Sequence, residues 1–160
     1  MYLNKLTWTL MLLSAMGFSY PSKAQVPAEG NDIEIAAKDS VFIGRFCNKE
    51  YDVYIDMDLY HQNRLIQGQE FLVEVPGYLG DFKDARKWIF TDATFIDPHT
   101  IQLSITNDYG SEDLEATLTY FPKDSTYTLR QGKGSAIKIA RNRKWVKIPN
   151  TISFKAETKK

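Results

Sequence analysis

The chain has 160 residues, of which 43% are hydrophobic and 13% aromatic, with 20 basic and 20 acidic side chains and one cysteine. A lone thiol excludes an internal disulfide, so any core must hold by packing alone. The even charge total conceals a polarity: residues 25–122 carry 18 acidic and 7 basic side chains, whereas residues 123–160 carry 2 acidic and 11 basic ones.

In chain order, the first expected element is an export signal over residues 1–24. Lys5 precedes the apolar run from Leu6 to Phe18, and the segment SYPSKA ends with small residues at Ser22 and Ala24. The run is shorter than the ~18–20 residues needed to cross a bilayer, and no comparable run follows. No transmembrane segment is therefore expected after cleavage, and the protein is expected in the periplasm or outside the cell. The roughly 136 residues that remain suffice for one domain. Residues 25–39 read as a polar leader, residues 40–156 as a single domain and residues 157–160 as a tail.

A helical candidate, DIEIAAKDS (Asp32–Ser40), is followed by short runs of β-branched and aromatic residues. These are SVFIGRF from Ser40, YDVYIDMD from Tyr51, EFLVEV from Glu70, KWIFTDATFI from Lys87, TIQLSIT from Thr100 and LEATLTY from Leu114. STYTLRQ, AIKIA, KWVKI and TISFK follow, with RNRK (Arg141–Lys144) read as a hairpin turn. Alternation has a period of two: Tyr51, Val53, Ile55 and Met57 share one face, as do Ile101, Leu103 and Ile105, and Leu114, Ala116, Leu118 and Tyr120. The fold class is all-β, an antiparallel barrel of about eight strands, with a β-sandwich as the alternative.

In VFIGRF, Gly44 stands two residues before Phe46 at the start of the first strand, and a meander of strands follows. In this the chain resembles the lipocalin (calycin) group at the level of architecture, although that group usually has tryptophan where this chain has Phe46. The resemblance implies an eight-stranded up-and-down barrel that binds something at its open end, and leaves the ligand unnamed.

Three stretches supply candidate site residues. VPGYLGDFKDARKW, residues 75–88, reads as a long loop, with a possible helical turn in GDFKDARK; Tyr78, Leu79 and Phe82 in it are expected either to bind a ligand or partner at the barrel mouth, under residues 76–86, or to plug that mouth. Arg141 and Arg143 in the basic hairpin are expected to orient an anionic partner; alternatively, the basic strands, through Lys138 and Lys147, face Asp52, Asp56 and Asp58 across the barrel seam. The tip TNDYGSED offers Asp108, Glu112 and Asp113 as weak calcium candidates, the other reading being a solvated turn with Gly110 in the left-handed position.

No cofactor is expected. His61 and His99 stand alone, no zinc-ligand spacing, nucleophile elbow or phosphate loop is present, and Cys47 reads as a small buried hydrophobe, so no catalytic residue is assigned. Nucleic acid is not an expected partner, because export removes the usual target and the basic turn has no interleaved aromatic beyond Trp145. The expected function is an exported, non-catalytic binding protein for a small apolar ligand or a protein partner. Its alternative is an interaction module, an inhibitor or immunity protein, acting on a periplasmic or extracellular enzyme. A hollow barrel with a pocket of at least ~300 Å³ favours the small ligand, and a filled one with exposed aromatics the partner.

Overall fold

Strict alternation turns one face of each strand toward its neighbours' apolar faces, and a sheet that buries one face this way can close on itself. The computed structural model describes residues 40–66 and 74–157. It contains strands β1 (Ile43–Asn48), β2 (Val53–Asp58), β3 (Gly77–Asp81), β4 (Lys87–Asp97) and β5 (Thr100–Asn107). These are followed by β6 (Asp113–Phe121), β7 (Thr126–Gly134), β8 (Lys138–Arg141), β9 (Lys144–Lys147) and β10 (Thr151–Ala156), and no helix occurs among the described residues. Strands β1 to β7 pair antiparallel in sequence, and β10 joins β7 to β1, so that eight strands close into an up-and-down barrel. Strands β8 and β9 form a separate hairpin between β7 and β10. The closing seam is short, with Phe46 opposite Ala156 and Cys47 opposite Lys155.

Inside the barrel Ile55, Leu79, Phe90, Leu103, Leu118, Leu129 and Phe154 are fully buried and belong to one continuous cluster. In β4 a register shift between Phe90 and Asp92 re-phases the alternation, which keeps Ala93 inside along with Trp88 and Phe90. Both ends are covered. At one, the ring of Phe42 is buried edge-on against Phe95, Tyr120 and Tyr127, and the Tyr127 hydroxyl donates to the Val41 carbonyl. At the other, the β8–β9 hairpin brings Ile137, Ile139 and Ile148 into the same cluster as the barrel interior.

The long loop expected over residues 76–86 is not present as such: Gly77–Asp81 is a barrel strand, and only residues 82–86 turn the chain. Its glycines misled because they mark close approach within a sheet, not a turn. A Cβ at Gly77 would lie 2.6 Å from the Asp56 carbonyl oxygen, and one at Gly80 would run into the Tyr54 ring. Nor does GDFKDARK contain a helical turn, since it spans the end of β3, a turn and the start of β4. The expected signal, the polar leader with its helical candidate up to residue 39, and residues 158–160 lie outside the described residues. So does most of the expected strand from Glu70, of which Val75 forms an isolated bridge with Arg64.

Candidate functional site

The hairpin that covers the barrel end is built by a two-residue turn in which Asn142 and Arg143 both take left-handed φ values, 50° and 62°. Ile139 stands opposite Val146, and Ala140 opposite Trp145. Because side chains alternate, the burial of Ile139 against the barrel core sends Trp145 to the opposite face. At its root, Gln131 on the barrel's inner face accepts from the Ile137 N–H (2.7 Å) and donates to the Pro149 carbonyl (2.8 Å), which ties the two arms of the excursion together. Further out, Arg141 pairs with the Asp81 carboxylate and donates to the Tyr51 carbonyl. The Trp88 indole N–H donates to the Lys138 carbonyl (3.1 Å), and Lys138 pairs with Glu112.

Beside the hairpin lies a cleft of about 290 Å³, formed with the turns before β4 and between β5 and β6. Its aromatic lining is Trp88, Tyr109 and Trp145. Tyr109 is 76% exposed and Trp145 59% exposed. The Arg86 guanidinium lies 4.4 Å from the Trp145 ring centre and is gripped by Asp84 through bonds of 2.7 and 2.9 Å. Hydrogen bonding from that side chain holds the Asp84 carboxyl below its ordinary pKa and raises that of Arg86. Asn107 organises the neighbouring turn: its side-chain oxygen accepts from the Ser111 N–H (2.9 Å), while Gly110 takes φ 66°. The sequence TNDYGSED is therefore a hydrogen-bonded turn that raises Tyr109 over the cleft.

A wider groove of about 580 Å³ runs along the β1–β10 seam and is lined by residues including Cys47, Asn48, Phe82, Ser153 and Lys155. Cys47 is half-buried on the outer side of β1, not in the core as expected, because Phe46 takes the inward position. Burial pushes its thiol pKa up, which disfavours the reactive thiolate.

The expected site residues are dispersed. Leu79 points into the barrel core, and Tyr78, on the outer face of β3, is buried in a second cluster with Ile66, Val75 and Ile89. Both are structural, which corrects their assignment to a binding loop. Phe82 is 51% exposed but packs 4.8 Å from the Tyr54 ring and lines the seam groove, away from the cleft. Arg141 is committed to Asp81, and Arg143 stands at the hairpin tip, exposed and without an ion pair among the described residues.

The seam pairing expected for Lys138 and Lys147 does not occur. Asp52 pairs with Lys83, Asp56 with Arg45 and Arg64, and Asp58 with His61, while Lys138 takes Glu112. Of the calcium candidates, Glu112 is engaged by Lys138 and Asp108 accepts from the Lys87 N–H (3.3 Å); among the described residues no three His, Cys, Asp or Glu side chains gather at one point. His99 sits in the β4–β5 turn, donating its N–H to Asp97. His61 lies 3.0 Å from Asp58, with no hydroxyl or thiol bonded to its ring among the described residues.

No protein-family model, curated protein or solved structure matches the chain.

The cleft residues Arg86, Trp88, Tyr109 and Trp145 were not singled out from sequence. The available signal was a large aromatic at the tip of a polar turn, Tyr109, and another on a short exposed strand bounded by Lys144 and Lys147, Trp145, where burial cannot account for either.

Proposed function

We propose that this protein is a non-catalytic, exported binding protein that recognises a macromolecular partner with the outside of its hairpin end. The observation that carries the reading is a contrast between inside and outside. The barrel interior is packed with side chains and covered at both ends, whereas four large hydrophobic residues, Phe82, Tyr109, Trp145 and Val146, remain exposed at the hairpin end. Tyr109 and Trp145 border a formed cleft there. Exposed aromatics of this kind are the usual anchors of recognition surfaces. A small apolar ligand held inside is disfavoured, since it would have to displace Phe90, Leu103 and their neighbours from a close-packed core.

Charge supports the same face. Arg143, Lys144 and Lys147 lack carboxylate partners among the described residues and flank Trp145 in sequence, so they are available to steer a partner while the aromatics supply contact area. Affinity capture from the envelope and culture medium of the producing cells tests this reading. Wild-type protein should retain material that the Tyr109→Ala/Trp145→Ala double variant loses, with an unchanged far-ultraviolet spectrum. Equal retention by both proteins would contradict it.

A further inference from the structure

We infer that the 290 Å³ cleft beside the hairpin holds one pyranose ring of a neutral glycan, an inference that rests on the hairpin end being the recognition surface. Its volume lies at the lower limit of small-molecule sites, which suits a single sugar residue and leaves the rest of a chain to extend along the surface.

The chemistry of the walls narrows the class. Tyr109 has no ring partner among the described residues, and Trp145 has only the Arg86 guanidinium over it, so both keep aromatic surface open to a ligand. A pyranose presents axial C–H bonds on one face whose hydrogens carry partial positive charge, and these pack on the negative face of an aromatic ring for the same electrostatic reason that a cation does. Around its edge the ring carries hydroxyls, which need donors and acceptors in alternation. The cleft supplies both kinds: the Asp108 and Glu112 carboxylates keep lone pairs beyond their bonds to the Lys87 N–H and to Lys138, the Ser111 hydroxyl lies beside them, and the Lys138 ammonium has further protons to donate.

Within the cleft the charges are matched, while Arg143, Lys144 and Lys147, which have no carboxylate partner among the described residues, lie outside its lining. Glu112 and Lys138 neutralise each other, and Arg86 is matched by Asp84. The Lys87 ammonium donates to the Ala85 carbonyl and lies 5.6 Å from the Tyr78 ring centre. A phosphate or carboxylate ligand would have to break one of these pairings, and a purely apolar ligand would strip water from polar groups without replacing its hydrogen bonds. A neutral polyol with one apolar face does neither.

Affinity gel electrophoresis of the protein, purified after expression of the full chain, against soluble α-glucan, β-glucan, mannan, galactan and xylan tests the inference. Wild-type protein should be retarded by at least one of these, and Trp145→Ala should weaken that retardation by about tenfold or more in Kd, while Phe121→Ala, at an exposed position on the far end of β6, should not. Trp145 is exposed, so its variant should keep the wild-type circular dichroism. Retardation that survives Trp145→Ala would place the sugar elsewhere and overturn the inference. If no polysaccharide retards the wild type, the glycan assignment is overturned; capture from the envelope that still depends on Tyr109 and Trp145 would then leave the recognition surface intact with a partner of another class.

Discussion

Replacing Gln131 by leucine tests whether the hairpin is a rooted cap or an appendage. Gln131 is 6% exposed, and its amide serves the Ile137 N–H and the Pro149 carbonyl at once. Leucine matches its bulk and removes both bonds. The Ile137 N–H bonds only to Gln131 among the described residues, and leaving it unpaired costs about 1–3 kcal/mol; losing the bond to the carbonyl of the exposed Pro149 adds about 0.5–1.5 kcal/mol. The expected loss is therefore about 1.5–4.5 kcal/mol in urea denaturation, accompanied by faster hydrogen exchange at the Ile137 and Lys138 amides than in the distant β5–β6 pairing. A loss below about 0.5 kcal/mol with unchanged exchange at Ile137 would refute the reasoning, since the hairpin would then be held from its outer contacts alone.

Tyr78→Ala should cost about 3 kcal/mol or more by thermal denaturation because it empties the cluster of Ile66, Val75 and Ile89, whereas Phe82→Ala should stay within about 1 kcal/mol of wild type. Gly77→Ala should destabilise by about 1–3 kcal/mol, as the added methyl meets the Asp56 carbonyl oxygen at 2.6 Å, and a neutral result would mean that β2 and β3 separate freely there. Arg143→Gly should stabilise by about 1 kcal/mol, because glycine takes the left-handed φ without the Cβ penalty; a loss of stability would show that the Arg143 side chain makes a contact worth more than its strain. Burial by itself would raise the Asp58 carboxyl, but the bonds and charge supplied by His61 and the Tyr60 N–H outweigh it and hold its pKa below the ordinary value. The stability from Asp58 is thus complete above the unfolded value of about 3.9 and is lost as pH falls through the lower folded one, so the deficit of Asp58→Asn should be largest near neutrality and close below about pH 4. A deficit that persists at pH 2 would contradict this.

The barrel was legible because its strands alternate without interruption where one face is buried: Val53, Ile55 and Met57, and then Ile101, Leu103 and Ile105, are inward as their spacing requires. Strand β3 was not legible. Five residues with two glycines carry too little pattern, and those glycines are explained only by what lies across the sheet, the Asp56 carbonyl and the Tyr54 ring. The site failed for a related reason. Tyr78 and Leu79 looked available because β3 looked like a loop, while Tyr109 and Trp145 became neighbours of one cleft only when the β8–β9 hairpin folded over the barrel end, a long-range arrangement that no local spacing encodes. The basic C-terminal segment was noticed, but which charges are spent depends on the same docking: Arg141 and Lys138 are neutralised by Asp81 and Glu112, and Arg143 is not.

The central claim, that recognition takes place on the outside of a filled barrel, is tested most directly by nuclear magnetic resonance. Trp145 borders the cleft and is 59% exposed, whereas Leu103, Leu118 and Leu129 lie inside the barrel, so the Trp145 indole N–H and the leucine methyl signals separate the two locations. On titration with the material captured from the envelope, the Trp145 indole signal should shift in a saturable manner while the three leucine methyl signals stay in place. Saturable shifts of those methyl signals with an unmoved Trp145 indole signal would put the ligand inside the barrel and contradict the account.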